Sequence, residues 1–302
     1  SLRAAGVFFV LGFSVRAYAI INSMSNTLPA TESPMAPPPA LREGLSPRWR
    51  SVAVHWFARL PSTNAWFHSK IIAQPTLVVA NEQTAGQGQR GRAWHSPAGG
   101  LYWSVGYPVT SLPSPMLSLA IAAALCDQLR AAGYADVRVK WPNDLVAKGA
   151  KLGGILVETM PNGPDRWLVV VGVGINQSSP ALAEQPPEQL PDRAMIGLNQ
   201  LDQSVQDTTL CDRDALIGQL ASAALDTLAQ TPAQLTDRLS NRWSALDALA
   251  GQTITLAQPS GAVISGTAQG IAADGGLRVV TSSGEQIFYS GECRVMSGWQ
   301  TT

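Results

Sequence analysis

A stretch rich in glycine, arginine and glutamine, directly after a predicted strand, constrains this chain more than any other feature. Residues 76–80 form an apolar run typical of a buried strand, and residues 83–97 follow it with the sequence QTAGQGQRGRAWHSP. Glycines remove side chains where the backbone turns, so that main-chain N–H groups can approach an anion closely. The arginines add fixed positive charge. The stretch therefore predicts an anion-binding loop at the end of a strand.

Two other motifs share this glycine spacing but fit the flanking residues poorly. Gly86, Gly88 and Gly91 match the dinucleotide fingerprint G-x-G-x-x-G, which requires a helix to open at the glycines. Residues 94–100 include Pro and Gly-Gly and do not begin a helix. A kinase glycine-rich loop would carry Val where Ala93 stands, and no H-R-D or D-F-G follows. By spacing alone, an ordinary surface loop remains an alternative.

Charge and cysteine content exclude several classes of protein. The 21 basic residues balance 21 acidic ones, so no global field favours nucleic acid or a membrane. The three cysteines, Cys126, Cys211 and Cys293, are far apart and form no C-x-x-C pair, which argues against a disulfide framework and for a reducing compartment. The three histidines are also scattered, which argues against a histidine metal site. A cytoplasmic protein is expected.

Residues 1–47 are predicted to be a disordered leader, a signal-like segment or an over-extended gene start. Residues 3–19 have the outline of a secretory signal, but Arg16 interrupts an apolar run that is too short to span a bilayer. Residues 25–46 are rich in Pro, Ala, Ser and Thr, which is typical of disorder. No helical periodicity precedes Trp49, so no DNA-binding domain is expected there.

Several predicted strands end in polar residues or glycine. Strands are predicted at residues 52–60, 101–105, 137–140, 155–158 and 167–171, with a helix at 116–132 that ends at Gly133. Individually, the polar segments have ordinary explanations as N-caps, turns and bulges. Together with the glycine-rich loop they predict one ligand site at converging strand ends.

The C-terminal part is predicted to change from helices to short strands. Helices are expected at 212–228 and 232–249, ended by Gly251. Five short strands follow at 254–256, 262–270, 277–280, 286–289 and 293–296, with turn residues between them. This spacing is typical of a small antiparallel barrel.

The chain resembles the biotin–protein ligases. The matching segments are 62–64 (STN), 83–94 (QTAGQGQRGRAW), 140–144 (KWPND), 151–158 (KLGGILVE) and 172–176 (GVGIN), in the family's order and spacing. The resemblance implies an α+β fold, with a mixed-sheet catalytic domain of the biotin/lipoate ligase type at residues 48–249 and an SH3-like β-barrel at 250–302. It further implies the monofunctional form, without an N-terminal DNA-binding domain.

The resemblance implies a two-step ligase. With ATP and Mg²⁺ the enzyme would form biotinyl-5′-AMP from biotin, and then transfer biotin to a lysine of a biotin carboxyl carrier protein or domain of acetyl-CoA carboxylase. It would bind neither nucleic acid nor membrane and would be a monomer or a weak homodimer. A lipoate–protein ligase and a non-catalytic biotin-binding module remain alternatives.

The resemblance also implies roles for individual residues. The catalytic residues would be Lys151, Arg92, Asp144 and Lys140, with Asp144 also a candidate Mg²⁺ ligand. The biotin-binding residues would be Ser62, Thr63, Asn64, Gln83, Gly86, Gln87, Gly88, Gln89, Trp94, Lys151 and Gly154, with Trp141 as a further apolar wall. The ATP or adenylate site would comprise Arg90, Gly91, Arg92, Trp94, Asn143, Lys151, Asn176 and Glu292. Arg294 is two positions from the family's arginine, so no site role is expected for it.

Two features modify these expectations. Gln87 and Gln89 stand where the family usually has arginine, and the lost charge predicts looser retention of the adenylate. Residues 178–209 are long, polar and poor in apolar positions, which predicts a loop that is mobile without ligand and closes over the adenylate.

Overall fold

A computed structural model describes residues 14–15, 33–179, 194–201 and 212–296. The strands are β1 Ser14–Val15, β2 Ala53–Leu60, β3 Thr76–Gln83, β4 Leu101–Val109, β5 Arg138–Lys140, β6 Asp144–Ala147, β7 Ala150–Pro161, β8 Trp167–Ile175, β9 Thr253–Ala257, β10 Val263–Ile271, β11 Leu277–Thr281, β12 Gly284–Phe288 and β13 Glu292–Val295. The helices are α1 Pro39–Gly44, α2 Leu117–Ala131, α3 Arg213–Leu228 and α4 Pro232–Leu246. Most of the predicted loop at 178–209 lies outside the described residues.

The larger sheet is mixed, as predicted. Its strands lie in the order β2-β3-β4-β8-β7-β6-β5, and β1 pairs with β7. Strands β2 and β3 run parallel, whereas β4, β8 and β7 are antiparallel neighbours. Residues 172–175 continue β8, which was predicted to end at residue 171, because they pair with β4 on one side and β7 on the other.

The two faces of this sheet have different contents. On β8, Val169, Val171, Val173 and Ile175 belong to a core that includes residues of α2, α3 and α4. The alternate residues face the other side, where Leu168 and Val170 join a smaller apolar cluster. Gly172 and Gly174 follow on that second face. The described helices α2, α3 and α4 pack on the opposite face and leave this part of the sheet uncovered.

The helix starts follow their sequence signals. Asp212 caps α3, because its carboxylate accepts hydrogen bonds from the main-chain N–H groups of Asp214 and Ala215. Thr231 and Gln234 form a capping box at the start of α4. That helix ends at Leu246, before the predicted residue 249, because Asp247 turns the chain and binds the Leu249 N–H and the Trp243 indole. Burial raises the pKa of the Asp247 carboxyl.

The expectation of disorder up to residue 47 is wrong for residues 35–47. Met35 bridges to β2, and α1 packs on α3 with Leu41 and Leu45 fully buried. Gly44 and Gly218 permit this close approach, since an added Cβ would lie 2.1 Å from the Ala215 carbonyl oxygen or 2.4 Å from that of Leu41. Six residues are too few to show helical periodicity, so this helix has no recognisable signal in the sequence.

The C-terminal strands form an open sheet rather than the predicted closed barrel. Their order is β12-β11-β10-β9-β13, all antiparallel, and the edge strands β12 and β13 do not pair with each other within the described residues. The Trp141 indole N–H donates to the Gly275 carbonyl at 3.1 Å, which attaches this sheet to the larger domain.

The buried cysteine Cys126 is a small core residue of α2, as its helical position predicts. Burial raises the pKa of its thiol to about 12. Within the described ranges, no helix is long and apolar enough to cross a membrane.

Candidate active site

A cavity of about 710 Å³ lies on the uncovered face of the larger sheet. Its walls come from the β2–β3 connection, the glycine-rich loop, strands β6, β7 and β8, and the edge strand β13 of the second sheet. The predicted site residues that line it are Ser62, Thr63, Asn64, Gln83, Gly86, Gln87, Gly88, Gln89, Arg92, Trp94, Asn143, Asp144, Lys151, Gly154 and Glu292. The structure thus brings these residues together around one cavity.

The glycine-rich loop folds back on itself as a short hairpin-like turn. The Gly88 N–H donates to the Arg92 carbonyl at 2.7 Å, and the Trp94 N–H donates to that of Gly86 at 2.8 Å. Only a three-residue 3-10 turn forms at residues 89–91, so the dinucleotide interpretation, which needs a helix, does not apply. Gly91 has φ +75°, a conformation that glycine adopts without strain. Because the Gly88 N–H is already bonded, it is not a free anion donor in this conformation.

Lys151 and Asp144 form the charged end of the cavity. The Lys151 Nζ lies 2.7 Å from Asp144 Oδ1 and 5.1 Å from the centre of the Trp94 ring. Both charged side chains are largely buried, with 20% and 11% of their surface exposed. Gly154 lies beside them, and an added Cβ there would be in van der Waals contact with the Lys151 Nζ, at 3.6 Å. Asp144 therefore fixes the Lys151 ammonium group at the cavity wall.

Glycines on β7 and β8 form the floor of the cavity. Gly154 pairs with Gly174, and Gly172 is the next residue of β8 on the same face. A Cβ on Gly174 would meet the Trp94 Nε1 at 2.4 Å, and one on Gly172 would meet the Asn64 Oδ1 at 2.1 Å. The indole and the amide therefore lie directly on the sheet because these positions have no side chain.

A polar network forms the other end of the cavity. Gln83 Oε1 accepts the Thr63 main-chain N–H at 2.9 Å, and Gln83 Nε2 donates to Ser96 Oγ at the same distance. Ser62 Oγ accepts the Ala65 N–H at 3.3 Å. The segment that follows forms a 3-10 turn, Ala65–Phe67. These bonds hold the side chains that face the cavity in fixed orientations.

The second sheet contributes two charged residues, one of which was not expected. Glu292 Oε1 lies 3.2 Å from Arg92 Nη1. Arg294 also lines the cavity, although the sequence predicts no site role for it. Residues two apart on a strand share a face, so Arg294 follows Glu292 into the site whatever its offset from the family pattern.

Other residues lie beside the cavity rather than in its wall. Lys140, Arg90 and Trp141 line a small adjoining groove, together with Asn143 and Asp144. Trp141 therefore does not form the predicted wall of the main cavity. Lys140 is only 3% exposed.

Besides Arg90, two predicted nucleotide contacts are not brought to the cavity wall. Gly91 lies at the exposed tip of the loop. Asn176 donates through its side-chain amide to the Ile196 carbonyl at 3.2 Å, and so holds the segment 194–198 instead. That segment places Met195 in the cavity, a residue with no sequence signal, through main-chain bonds of its neighbours to Lys151.

The described residues do not fit a resident Mg²⁺ site. No group of three or more His, Cys, Asp or Glu side chains is found among them, and Asp144 is already paired with Lys151. One carboxylate fits Mg²⁺ only when nucleotide phosphates supply further oxygens.

Comparison with known proteins agrees with this architecture. Residues 56–176 match the model of the Biotin/lipoate A/B protein ligase family, and residues 250–296 match that of the biotin protein ligase C terminal domain. A relative named biotin–[acetyl-CoA-carboxylase] ligase, from Paracoccus denitrificans, is 32% identical over 245 residues, which are 78% of this chain and 97% of the relative. The chain belongs to the biotin protein ligase family.

Other biotin protein ligases extend the comparison. The bifunctional ligase/repressor BirA of Escherichia coli is 34% identical over 202 residues, 65% of this chain, but the match spans only 60% of that protein's length. A solved structure described as biotin protein ligase from Aquifex aeolicus in complex with biotin and ATP superposes with a TM-score of 0.64 at 23% identity, covering 81% of this chain and 98% of that one. At that identity it supports the ligase fold.

Proposed function

We propose that this protein is a biotin–[acetyl-CoA-carboxylase] ligase. In its first step a biotin carboxylate oxygen would attack the α-phosphorus of ATP, and pyrophosphate would leave. In the second, the amine of an acceptor lysine would attack the acyl carbon of biotinyl-5′-AMP, so that AMP leaves and the amine loses a proton. The observation that carries the proposal is a cavity with an ammonium–carboxylate pair at one end and fixed amide and hydroxyl groups at the other.

The charged end suits the first step. A carboxylate and a triphosphate repel each other, so joining them requires clustered cations. Lys151 would bind the carboxylate and the α-phosphate oxygens, and Asp144 holds its ammonium group within the wall. Arg92 and Arg294 would add charge on the nucleotide side, and Lys140 and Arg90 would supply it in the adjoining groove.

The polar end suits the urea ring of biotin. A urea presents N–H donors beside a carbonyl acceptor. Gln83 Nε2 uses one proton on Ser96 and keeps the second for a ligand carbonyl, and the Ser62 hydroxyl can also donate. Thr63 Oγ1 stands next to them and can accept a ligand N–H. Trp94 would cover the ring and the acid chain, with Asn64, Gly86 and Gly154 beside it.

Three functions are separated by one experiment. Pyrophosphate release is measured with ATP and either biotin or lipoate as the only acid, and a biotin carboxyl carrier domain is then added and probed with streptavidin. A biotin ligase releases pyrophosphate with biotin and labels the carrier. A lipoate ligase responds to lipoate instead, and a non-catalytic binding module releases none. Absence of biotin-dependent release from folded protein would reject the proposal.

The remaining expectations are proposals of the same kind. They comprise the carrier of acetyl-CoA carboxylase as the partner, a monomer or weak homodimer, no nucleic-acid partner, a cytoplasmic location, and domain limits at residues 48–249 and 250–302. Sedimentation and limited proteolysis of the full chain test the assembly state and the domain limits.

A further inference from the structure

Glu158 lies behind the polar end of the cavity, outside its wall. Its side chain is 13% exposed, and its Oε2 accepts the Asn64 side-chain N–H at 2.8 Å. His68 Nε2 lies 3.8 Å from the same oxygen, beyond ordinary hydrogen-bond distance. Asn64 itself is 4% exposed and lines the cavity. Glu158 therefore lies one residue away from a ligand in the cavity, with Asn64 between them.

The carboxylate determines how the Asn64 amide is oriented. An ionised carboxylate can only accept hydrogen bonds, so the amide must turn its NH₂ group toward Glu158. The amide oxygen, Asn64 Oδ1, then faces the Ser104 Oγ at 2.6 Å. An amide oxygen can only accept, so the single hydroxyl proton of Ser104 is donated to Asn64.

The same reasoning determines the Thr63 hydroxyl. Thr63 Oγ1 lies 2.7 Å from Ser104 Oγ, the usual length of an O–H···O bond. Because Ser104 has spent its proton on Asn64, the proton between these two oxygens must come from Thr63. Thr63 Oγ1 also lies 3.2 Å from Gln83 Oε1, which is a longer and weaker contact for this proton than the 2.7 Å contact with Ser104 Oγ. Thr63 therefore faces the cavity with lone pairs only.

We propose that Glu158 is a positioning residue that directs the protons of this network so that Thr63 Oγ1 accepts a ureido N–H of the substrate. The inference rests on the proposed function, which supplies the urea. The donated protons run from Thr63 to Ser104 to Asn64 and from Asn64 to Glu158. An acid with sulfur at this end, such as a dithiolane, has no N–H for the Thr63 lone pairs, which would then stay unsatisfied in a buried site. Selectivity for the urea thus depends on a carboxylate that the substrate does not touch.

The test is a double-mutant cycle on the biotin dissociation constant, measured by calorimetry on the full chain. Glu158→Gln makes both amide orientations available, and about tenfold weaker binding is expected, because a bond to a charged group becomes a neutral one. Asn64→Asp places a second carboxylate against that of Glu158, and the repulsion is expected to weaken biotin binding about 100-fold. In Glu158→Gln with Asn64→Asp, the amide and the carboxylate exchange places and Ser104 still donates to position 64, so binding is expected to return to within about tenfold of the parent. Losses that simply multiply would overturn the proposal.

A second double-mutant cycle tests the same proposal if the Asn64→Asp variant does not fold. Thr63→Ala removes the acceptor, so Glu158→Gln is expected to have no further effect on biotin binding in that background. If Glu158→Gln weakens biotin binding by the same factor in the parent protein and in Thr63→Ala, the proposal is overturned. Glu285→Gln is the matched control, since Glu285 is an exposed carboxylate on β12 paired with Arg278, and it is expected to bind biotin like the parent.

Other outcomes are also informative. The KM for ATP is expected to stay within twofold in Glu158→Gln, whereas a general loss of structure would change it together with the KM for biotin. If the parent protein binds no biotin at all, the proposed function fails. If the parent binds biotin and the cycles show no coupling, only the role of Glu158 fails.

Discussion

Lys151 Nζ lies 2.7 Å from Asp144 Oδ1, so a carboxylate of the protein itself holds the main cation of the cavity. We expect Lys151→Gln to lower the rate of biotin-dependent pyrophosphate release about 10²- to 10³-fold, since a preorganised transition-state donor contributes about 2.7–4 kcal/mol. Rapid-quench measurement at saturating biotin and ATP tests this. Lys70→Gln is the control, because Lys70 lies over Trp66 away from the cavity. Equal rates in the two variants would contradict the role of Lys151.

Arg92 and Glu292 connect the glycine-rich loop to the C-terminal sheet at 3.2 Å, with 57% and 24% of their side chains exposed. Solvent screening makes such pairs weak, so a double-mutant cycle with Arg92→Gln and Glu292→Gln is expected to give a coupling below about 1 kcal/mol in the free energy of unfolding. The exposed Arg278–Glu285 pair serves as comparison. A coupling above about 2 kcal/mol would show that this contact holds the two sheets together.

Gly174→Ala is expected to weaken biotin binding at least tenfold. Its Cβ would lie 2.4 Å from Nε1 of Trp94, so the indole must move and narrow the cavity. Leucine has no ring at the position that causes the contact. In the Trp94→Leu background, Gly174→Ala is therefore expected to cause little further loss of affinity. Calorimetry on the two single variants and the double variant decides this, and purely additive losses would contradict the steric account.

Leu41→Ala is expected to lower the free energy of unfolding by about 2–5 kcal/mol, because the side chain is fully buried where α1 packs on α3. Leu112→Ala is the control: that side chain is 58% exposed and should change stability by less than about 0.5 kcal/mol. Urea unfolding measures both. A neutral Leu41→Ala would mean that residues 39–45 do not contribute to the folded core.

Gln89→Arg is expected to slow release of the adenylate. Gln89 lines the cavity in a position where the family usually has arginine, and the substitution would restore a charged donor near the phosphate. Rapid filtration after the first step measures how fast biotinyl-5′-AMP leaves. Release from the parent protein that is equal to or slower than release from Gln89→Arg would contradict the prediction.

The sequence predicted those parts of the site that depend on short segments. The glycine-rich loop, the Lys140–Asp144 segment and Lys151 are recognisable because their residue types and local order carry the signal. Arg294 is not recognisable from the family pattern because it is offset from it by two positions, and only strand alternation places it on the same face as Glu292.

Contacts between distant strands could not be predicted. Ser104 on β4 and Glu158 on β7 meet Asn64 only because β8 lies between those strands and has glycine at position 172. The open C-terminal sheet was also missed, since strand spacing does not determine whether edge strands close.

Strand β7 carries both the charged and the polar ends of the site. Gly154 lies beside the Lys151 ammonium group, and Glu158 stands four residues further on the same face, about 13 Å along the strand at 3.3 Å per residue. Because the sheet hydrogen bonds fix the length of the strand, the distance between the two ends of the site is fixed as well. An otherwise identical acid with one methylene fewer would therefore bind by its urea and leave its carboxylate short of the ammonium group.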